Sequence, residues 1–406
     1  MRFLRKILDD QEKKFTNGGP LERFYALFEA QDTFLFTPGE TTRTTSHVRD
    51  AIDMKRLMST VVVALLGCVY MAMYNTGYQA NLAISRGAAA LDNWQTTAFQ
   101  SLGFAFDPSD LLACIVHGAL YYLPVLIVTL AVGGAWEALF AIVRGHEINE
   151  GFLVTWMLFP LVLPPAIPLW QVALGISFGV VIGKEIFGGT GKNIFNPALM
   201  SRAFLFFAYP VFISGDRVWI AAQTTTDGVS GATWLARAAE GGQAVFEPGI
   251  SWWDAFMGYM PGSMGETSAL ACLVGAAVLL ITGIGSWRVM TGVVLGSVVM
   301  SMVLNAVGST TNPFFDVPFY WHFVLGGWAF GAVFMATDPV SSAHTNTGRW
   351  IYGFLIGVFA IIIRVVNPAY PEGMMLAILL MNVFAATIDY YVVRANIKRR
   401  SARYAT

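Results

Sequence analysis

Charge is scarce in this chain of 406 residues: Asp, Glu, Lys and Arg together make 13% of it, about half the ~25% of an ordinary soluble domain. A soluble globular fold is therefore excluded. Net charge is −1, so the basic surface that a nucleic-acid partner requires is missing too. Cysteine is nearly absent. Cys68, Cys114 and Cys272 all fall in apolar runs, where a thiol is a small buried hydrophobe rather than a disulfide half or metal ligand. His117, His322 and His344 are scattered, which argues against a His-built metal site. No glycine cluster follows a strand, so there is no nucleotide-binding fingerprint. Residues 1–15 are charged and lack an apolar core, so no cleaved leader is expected there. Any redox work by such a chain needs a borrowed cofactor.

What the chain has is apolar length. It is 55% hydrophobic, with 30 Phe and 12 Trp. Ten apolar runs, each near the ~20 residues a bilayer requires, fall at about 57–77, 111–143, 152–168, 170–187, 197–214, 268–285, 289–307, 318–336, 350–366 and 374–393. The expected fold is an all-α polytopic membrane protein of ten transmembrane helices. The second run is long enough to tilt or kink, with Gly118, Pro124, Gly133 and Gly134 inside it. An N-terminal arm, 1–55, precedes the spans. Within it Glu22–Phe36 places Phe24, Leu27 and Phe28 at helical spacing, suited to lying on a membrane surface.

Ten spans return both termini to one side. Lys and Arg crowd that side, while the long loops at 78–110 and 215–267 carry only Arg86, Arg217 and Arg237 against many carboxylates. The bias puts both termini in the cytoplasm and Thr233 outside. A faint repeat matches Gly175 and Gly179 to Gly353 and Gly357. It pairs spans four and five with nine and ten and makes two inverted five-helix halves, 56–214 and 268–395. The outer loop 215–267 separates them and a basic tail, 396–406, ends the chain. A rival alignment, of Gly175 and Gly179 with Gly326 and Gly331, makes the repeat parallel.

Three polar stretches interrupt the apolar pattern. Asp227–Thr233 (DGVSGAT) is small and glycine-bearing. It reads either as a surface turn or as a flexible segment presenting the Thr233 hydroxyl. Gly183–Pro197 (GKEIFGGTGKNIFNP) is irregular backbone between two spans, tolerated only if it is buried or lines a cavity. Ala336–His344 (ATDPVSSAH) is either a helix cap around Asp338 or part of a flavin or ion pocket on the same face. Inside the spans, Glu137, Arg202, Arg364 and Asp389 are costly and read as inter-helix ion pairs or as cation ligands. Oxygen ligands suit a hard cation such as Na+.

Together these stretches resemble a known family. The segment Asp227–Thr233 is similar to the flavinylation motif of the B subunit of the Na+-translocating NADH:quinone oxidoreductase, whose sister family is the D subunit of Rnf complexes. Trp136-Glu137, Arg144–Gly151, Leu163–Gln171, Gly183–Pro197, Thr337–Ser342 and Tyr370–Gly373 resemble the same family, so the likeness is end to end.

The resemblance implies FMN joined through its phosphate to Thr233 by a separate flavin transferase, with Asp227, Ser230, Gly231 and Ala232 forming the recognised segment. It implies a second, non-covalent flavin, riboflavin, for which Asn193 and Asn196 are the candidates. Ubiquinone is expected at Gly133, Gly134, Phe204 and Phe206 from the cytoplasmic side. A Na+ path is expected along Glu22, Glu137 and Asp389. No residue of this chain is expected to be a catalytic acid or base. The implied setting is a six-subunit complex in a bacterial inner membrane, passing electrons across the bilayer. Competing expectations are the Rnf D subunit and a flavin-free urea- or ammonium-type channel.

Overall fold

The computed structural model describes residues 2–16, 19–36, 54–145, 148, 151–224, 231–246, 249–367 and 372–404. Helices α1 (Arg2–Phe15) and α2 (Tyr25–Leu35) form the N-terminal arm. They are held together by Phe15 stacked on Phe28 at 5.1 Å and by an Arg5–Asp32 ion pair at 2.9 Å. The first half of the bundle runs through α3 (Met54–Ser85), α4 (Trp94–Ser101), α5 (Leu111–Arg144), α6 (Gly151–Leu161), α7 (Leu169–Val181) and α8 (Pro197–Ala208). A long connection carries α9 (Trp234–Gly241) and α10 (Trp252–Met257). The second half follows as α11 (Ala269–Ile281), α12 (Trp287–Val307), α13 (Phe319–Val324), α14 (Trp328–Phe330), α15 (Asn346–Val366) and α16 (Met374–Tyr404). Two short strands, β1 (Ala89–Ala90) and β2 (Ala222–Gln223), pair antiparallel and tie the loop after α3 to the loop after α8.

Among the described residues six helices are long and apolar enough to cross a membrane: Met54–Ser85, Leu111–Arg144, Leu169–Phe187, Trp287–Val307, Asn346–Val366 and Met374–Arg403. The expected third, fifth and sixth runs form only the shorter apolar helices α6, α8 and α11, and the eighth is broken. Proline and glycine account for the difference. Pro160 is the last residue but one of α6, and Pro164, Pro165 and Pro168 follow it, so no helix can continue. Pro197 starts α8 and Pro210 stops it just beyond Tyr209. In the eighth run Gly326 adopts φ +61°, a left-handed turn open to glycine. The helix resumes at α14 and passes into a π turn over Gly331–Met335.

Helix packing follows from small residues at the contacts. A side chain at Gly77 would strike the Cys114 carbonyl, and one at Gly118 the Met73 carbonyl. The backbones of α3 and α5 therefore touch directly, as membrane helices with small contact residues do. The same order of neighbours occurs twice: α5 beside α7 beside α8, and α12 beside α15 beside α16, with α3 against α11 between them. The glycines that suggested the repeat do not play matching parts. Gly175 and Gly179 face Leu205 and Ser201 of α8, whereas Gly353 and Gly357 face Val289 and Val293 of α12.

The bundle has two polar faces. The turn 182–196 joins α7 to α8, and Arg144 at the end of α5 reaches it through a 2.9 Å ion pair with Glu185. The beginning of α3 and the later part of α16 are at this turn face: Met58 borders the niche beside Asn193, and Asp389 accepts from the amides of His344 and Thr345 at 2.6 and 3.0 Å. The connection that follows α8 carries Thr233 and lies at the other face.

Candidate functional site

At the Thr233 face a cavity of about 460 Å³ opens between the end of α8, the start of α9, the segment 260–267 and the break at Leu325–Gly327. Thr233 lines it. Its backbone is extended (φ −67°, ψ 153°), and its hydroxyl accepts from the amide of Ala236 at 3.2 Å, capping α9. This hydroxyl stands at a helix N-terminus, where unpaired amides and the helix dipole favour an anion. A phosphate ester is an anion of that kind, and the adjoining cavity gives its substituent room. Ala232 is buried, and Gly231 lies so close to the Asp216 carbonyl that a larger residue would collide with it. Asp227 and Ser230 lie outside the described residues, as do Tyr370 and Pro371.

The buried end of this cavity is charged. Arg202 of α8 donates to Glu266 Oε1 at 3.4 Å and to Ser263 Oγ at 3.3 Å. Burial pushes the Glu266 carboxyl up to about 7; Arg202 pulls it back, and Glu372 adds to the rise. Glu372 accepts from the Gly327 amide at 2.9 Å and lies 3.9 Å from Arg364, so it satisfies backbone freed by the helix break. On the wall, Arg237 stacks over the Trp234 ring at 4.6 Å.

At the turn face a smaller niche of about 60 Å³ is bordered by Thr155, Lys184, Asn193, Asn196, Thr337 and Asp338. Asn196 caps α8, its Oδ1 accepting from Ala198 and Leu199 at 3.0 and 3.3 Å, while its Nδ2 donates to Asp338 Oδ2 at 3.3 Å. Asp338 also accepts from the Val340 amide at 3.0 Å and the Ser341 hydroxyl at 2.9 Å. Burial raises its carboxyl above the ordinary range, and these hydrogen bonds oppose the rise. Asn193 donates to the Phe195 carbonyl at 2.8 Å. The two interruptions at Gly183–Pro197 and Ala336–His344 thus meet in one niche. Its wall carries amide, hydroxyl, carboxylate and ammonium groups, and at about 60 Å³ it is smaller than a three-ring ligand, so a bound ring would have to widen it.

The remaining expected site residues are dispersed. Gly133 and Gly134 face the Phe152 ring, at the beginning of α6. Phe204 stacks on Phe178 at 4.4 Å, and Phe206 borders the Thr233 cavity. Gly133 and Phe204 both reach α7, at Ile176 and Phe178, while Phe206 stands apart at the Thr233 cavity. Glu22 is exposed on the arm. Glu137 pairs with Lys184 at 2.5 Å. Asp389 accepts from the amide and hydroxyl of Thr345, the N-cap residue of α15. Sequence reasoning missed Glu266, Glu372 and Ser263 as cavity residues. Glu372 stands two residues before α16, and Glu266 two residues before the cap Ser268 of α11; a carboxylate at the edge of an apolar helix was the available signal.

A polytopic helical bundle with a polar cavity at each face is the class of membrane protein that these observations define. The chain belongs to the NQR2, RnfD, RnfE family, whose pattern matches residues 41–398. Relatives that carry the name of the B subunit of the Na(+)-translocating NADH-quinone reductase are similar along their whole length. One from Chromohalobacter salexigens is 57% identical, covering 98% of this chain and 96% of the relative. One from Pseudomonas aeruginosa PAO1 is 57% identical over 98% and 99%, and one from Azotobacter vinelandii 58% over 98% and 99%.

Proposed function

We propose that this chain is the membrane flavoprotein subunit of a Na+-pumping NADH:ubiquinone oxidoreductase, holding one flavin at each face of the bilayer. The observation that carries the reading is the position of Thr233, a helix-capping hydroxyl at the mouth of the larger cavity. FMN would be esterified there through its phosphate by a separate transferase, and riboflavin would be held by Asn193 and Asn196. When bound, the two flavins supply the electron-carrying chemistry that the chain's own side chains lack.

The protein's part is to hold and to insulate. Helix α9 directs its free amides at the phosphate position, and Arg202 provides a fixed positive charge at the buried end of the cavity. Asn196 and Asp338 close the niche by a hydrogen bond. The bundle reads as ten transmembrane segments in two inverted halves, since α7 runs toward the turn face and α15 away from it. Both termini are cytoplasmic by charge bias in a bacterial inner membrane. With flavins bound at the two faces, electrons would pass from the Thr233 face inward to ubiquinone near Gly133 and Gly134, within a six-subunit complex. Charge added in a buried site requires a cation nearby, so Na+ moves past Glu22, Glu137 and Asp389.

The test is a denaturing gel under ultraviolet light with intact mass measured on the same sample. The parent chain is expected to fluoresce and to carry the mass of FMN less water. Thr233→Ala should be dark and unmodified, losing about 1 kcal/mol of helix cap. A dark, unmodified parent chain from an active complex would remove Thr233 as the flavin attachment site. Flavin present without quinone reduction would favour the Rnf-type reading.

A further inference from the structure

The turn face carries another cavity beside the niche, of about 310 Å³. It lies where α12 and α15 begin, and Ser286, Trp287, Arg288, Ser342 and Arg349 border it. We propose that this cavity seats the phosphate headgroup of an anionic phospholipid from the leaflet at the turn face. The proposal goes beyond the function given above. It needs only that α12 and α15 cross the bilayer, for which both are long and apolar enough.

Uncompensated positive charge is the first observation. Arg288 is the second residue of α12 and Arg349 the fourth of α15, and neither helix has an acidic residue in its first turn. Cations at a helix N-terminus oppose its dipole. Arg288 lies over the Trp287 ring at 4.8 Å, and Arg349 Nε donates to the Ala343 carbonyl at 3.2 Å. Among the described residues no carboxylate pairs with either guanidinium. The acids on the neighbouring turn and helix are held elsewhere: Asp338 by Asn196, Val340 and Ser341, and Asp389 by His344 and Thr345. Two helix starts and two arginines thus converge on one cavity without an anion from the described chain.

Hydroxyls in the wall lack partners as well. Ser342 is only 8% exposed, and its side chain makes no hydrogen bond among the described residues. The Ser286 hydroxyl is buried and unpartnered, although the residue stands at the N-cap of α12, where serine ordinarily accepts from the helix amides. Hydroxyls, free helix amides and guanidinium forks are all donors to phosphate oxygens.

The surroundings specify a lipid rather than a free ion. Trp287 is 50% exposed and meets Trp350 edge-on at 5.5 Å, and tryptophan at a helix end marks the headgroup level of a bilayer. Leu280 borders the cavity. With Ile281, Leu273 and Val274, all exposed, it forms an apolar lane along α11 at helical spacing. An acyl chain would follow that lane while the arginines hold the headgroup, the arrangement by which basic residues at a membrane edge select anionic lipids.

The test uses the purified complex in a neutral detergent, stripped of lipid and shown by mass spectrometry to be lipid-free. Phenylglyoxal labelling of Arg288 and Arg349 is read by peptide mass after adding phosphatidylglycerol, phosphatidylcholine or inorganic phosphate. Phosphatidylglycerol is expected to slow labelling of both arginines at least fivefold, and the other two to change it less than twofold. Native mass spectrometry then compares phosphatidylglycerol bound at limiting concentration by the parent and by Arg288→Gln/Arg349→Gln. The double variant should bind one molecule fewer, with affinity for that molecule lowered about fivefold for each arginine removed. Equal protection by phosphatidylcholine overturns the proposal for want of charge selectivity, and equal protection by phosphate alone makes the site a free anion's. Arginines that do not react in the lipid-free complex overturn it too, because a partner subunit then covers the cavity. Unchanged binding in the double variant does the same. None of these failures touches the flavin assignments at Thr233 or at the niche.

Discussion

On the function proposed above, the two cavities solve the same problem with different materials. The Thr233 cavity is large, about 460 Å³, and much of its wall comes from the connection between the halves and from a helix break. The niche is small, about 60 Å³, and is closed by helix ends that hydrogen-bond to one another across the halves. Each has a buried basic residue on its wall, Arg202 or Lys184, paired with a carboxylate, yet the pairs differ. Arg202 presents its planar guanidinium to Glu266 and Ser263 among its partners, whereas the Lys184 ammonium donates to Glu137. A cofactor held by an ester needs space and an anion-favouring amide cluster, because the covalent bond fixes its place. A cofactor held without one needs closing polar contacts. A guanidinium bound in two directions is a fixed charge.

The comparison breaks most severely at Arg202. Arg202→Ala leaves Glu266 buried without its partner, and loss of one member of a buried pair costs about 3–5 kcal/mol. The thermal midpoint of this subunit in the purified complex should fall sharply. Replacing both partners, Arg202→Met with Glu266→Leu, should restore most of it, since an apolar pair carries no desolvation cost. Failure of the double variant to recover would show that Arg202 holds the cavity through Ser263 instead.

A smaller effect distinguishes the Thr233 face by pH. The Glu266 carboxyl is raised to about 7 in the fold, first by burial, so the folded state retains a proton that the unfolded chain releases near the ordinary carboxylate range. Stability from this group is full below about 4.5, near the ordinary glutamate value, and is lost as pH rises through 7. The thermal midpoint should therefore decline across that window, and Glu266→Gln should flatten the decline. An unchanged slope in Glu266→Gln would assign the pH dependence to another group.

How much of this was legible beforehand depends on the kind of signal. Long apolar runs announced α3, α5, α7, α12, α15 and α16 directly. The half-length α6 and α8 were overestimated because hydropathy does not register that Pro164 and Pro210 forbid continuous helix, and α11 because it does not register the left-handed turn at Gly283 (φ +73°). Thr233, Asn196 and Asp338 stood out as polar residues in irregular segments, and irregular backbone within a membrane protein marks a cavity. The placing of Phe206 beside Thr233 was not legible. A phenylalanine has the same apolar signature on a lipid face, in a core or on a cavity wall, and only the path of α8 decides among them. Lys184 was visible as a charge in a turn, but its contact with Glu137 joins residues far apart in sequence.

The smallest expected effect separates two duties of Asn196. Its Oδ1 caps α8 and its Nδ2 holds Asp338, so Asn196→Ala confounds the two: it should cost about 1 kcal/mol through the cap alone. Serine retains a capping oxygen but has no amide to reach Asp338. Asn196→Ser should therefore change the thermal midpoint little, since good N-caps differ from one another by only ~0.5 kcal/mol or less. The non-covalent flavin recovered by acid extraction should nevertheless fall, while the fluorescent band at Thr233 persists. That pattern would show the niche closing through Asn196–Asp338 independently of helix stability. Equal loss of both flavins would mean that Asn196 acts only by starting α8, the helix that also carries Arg202 to the other cavity.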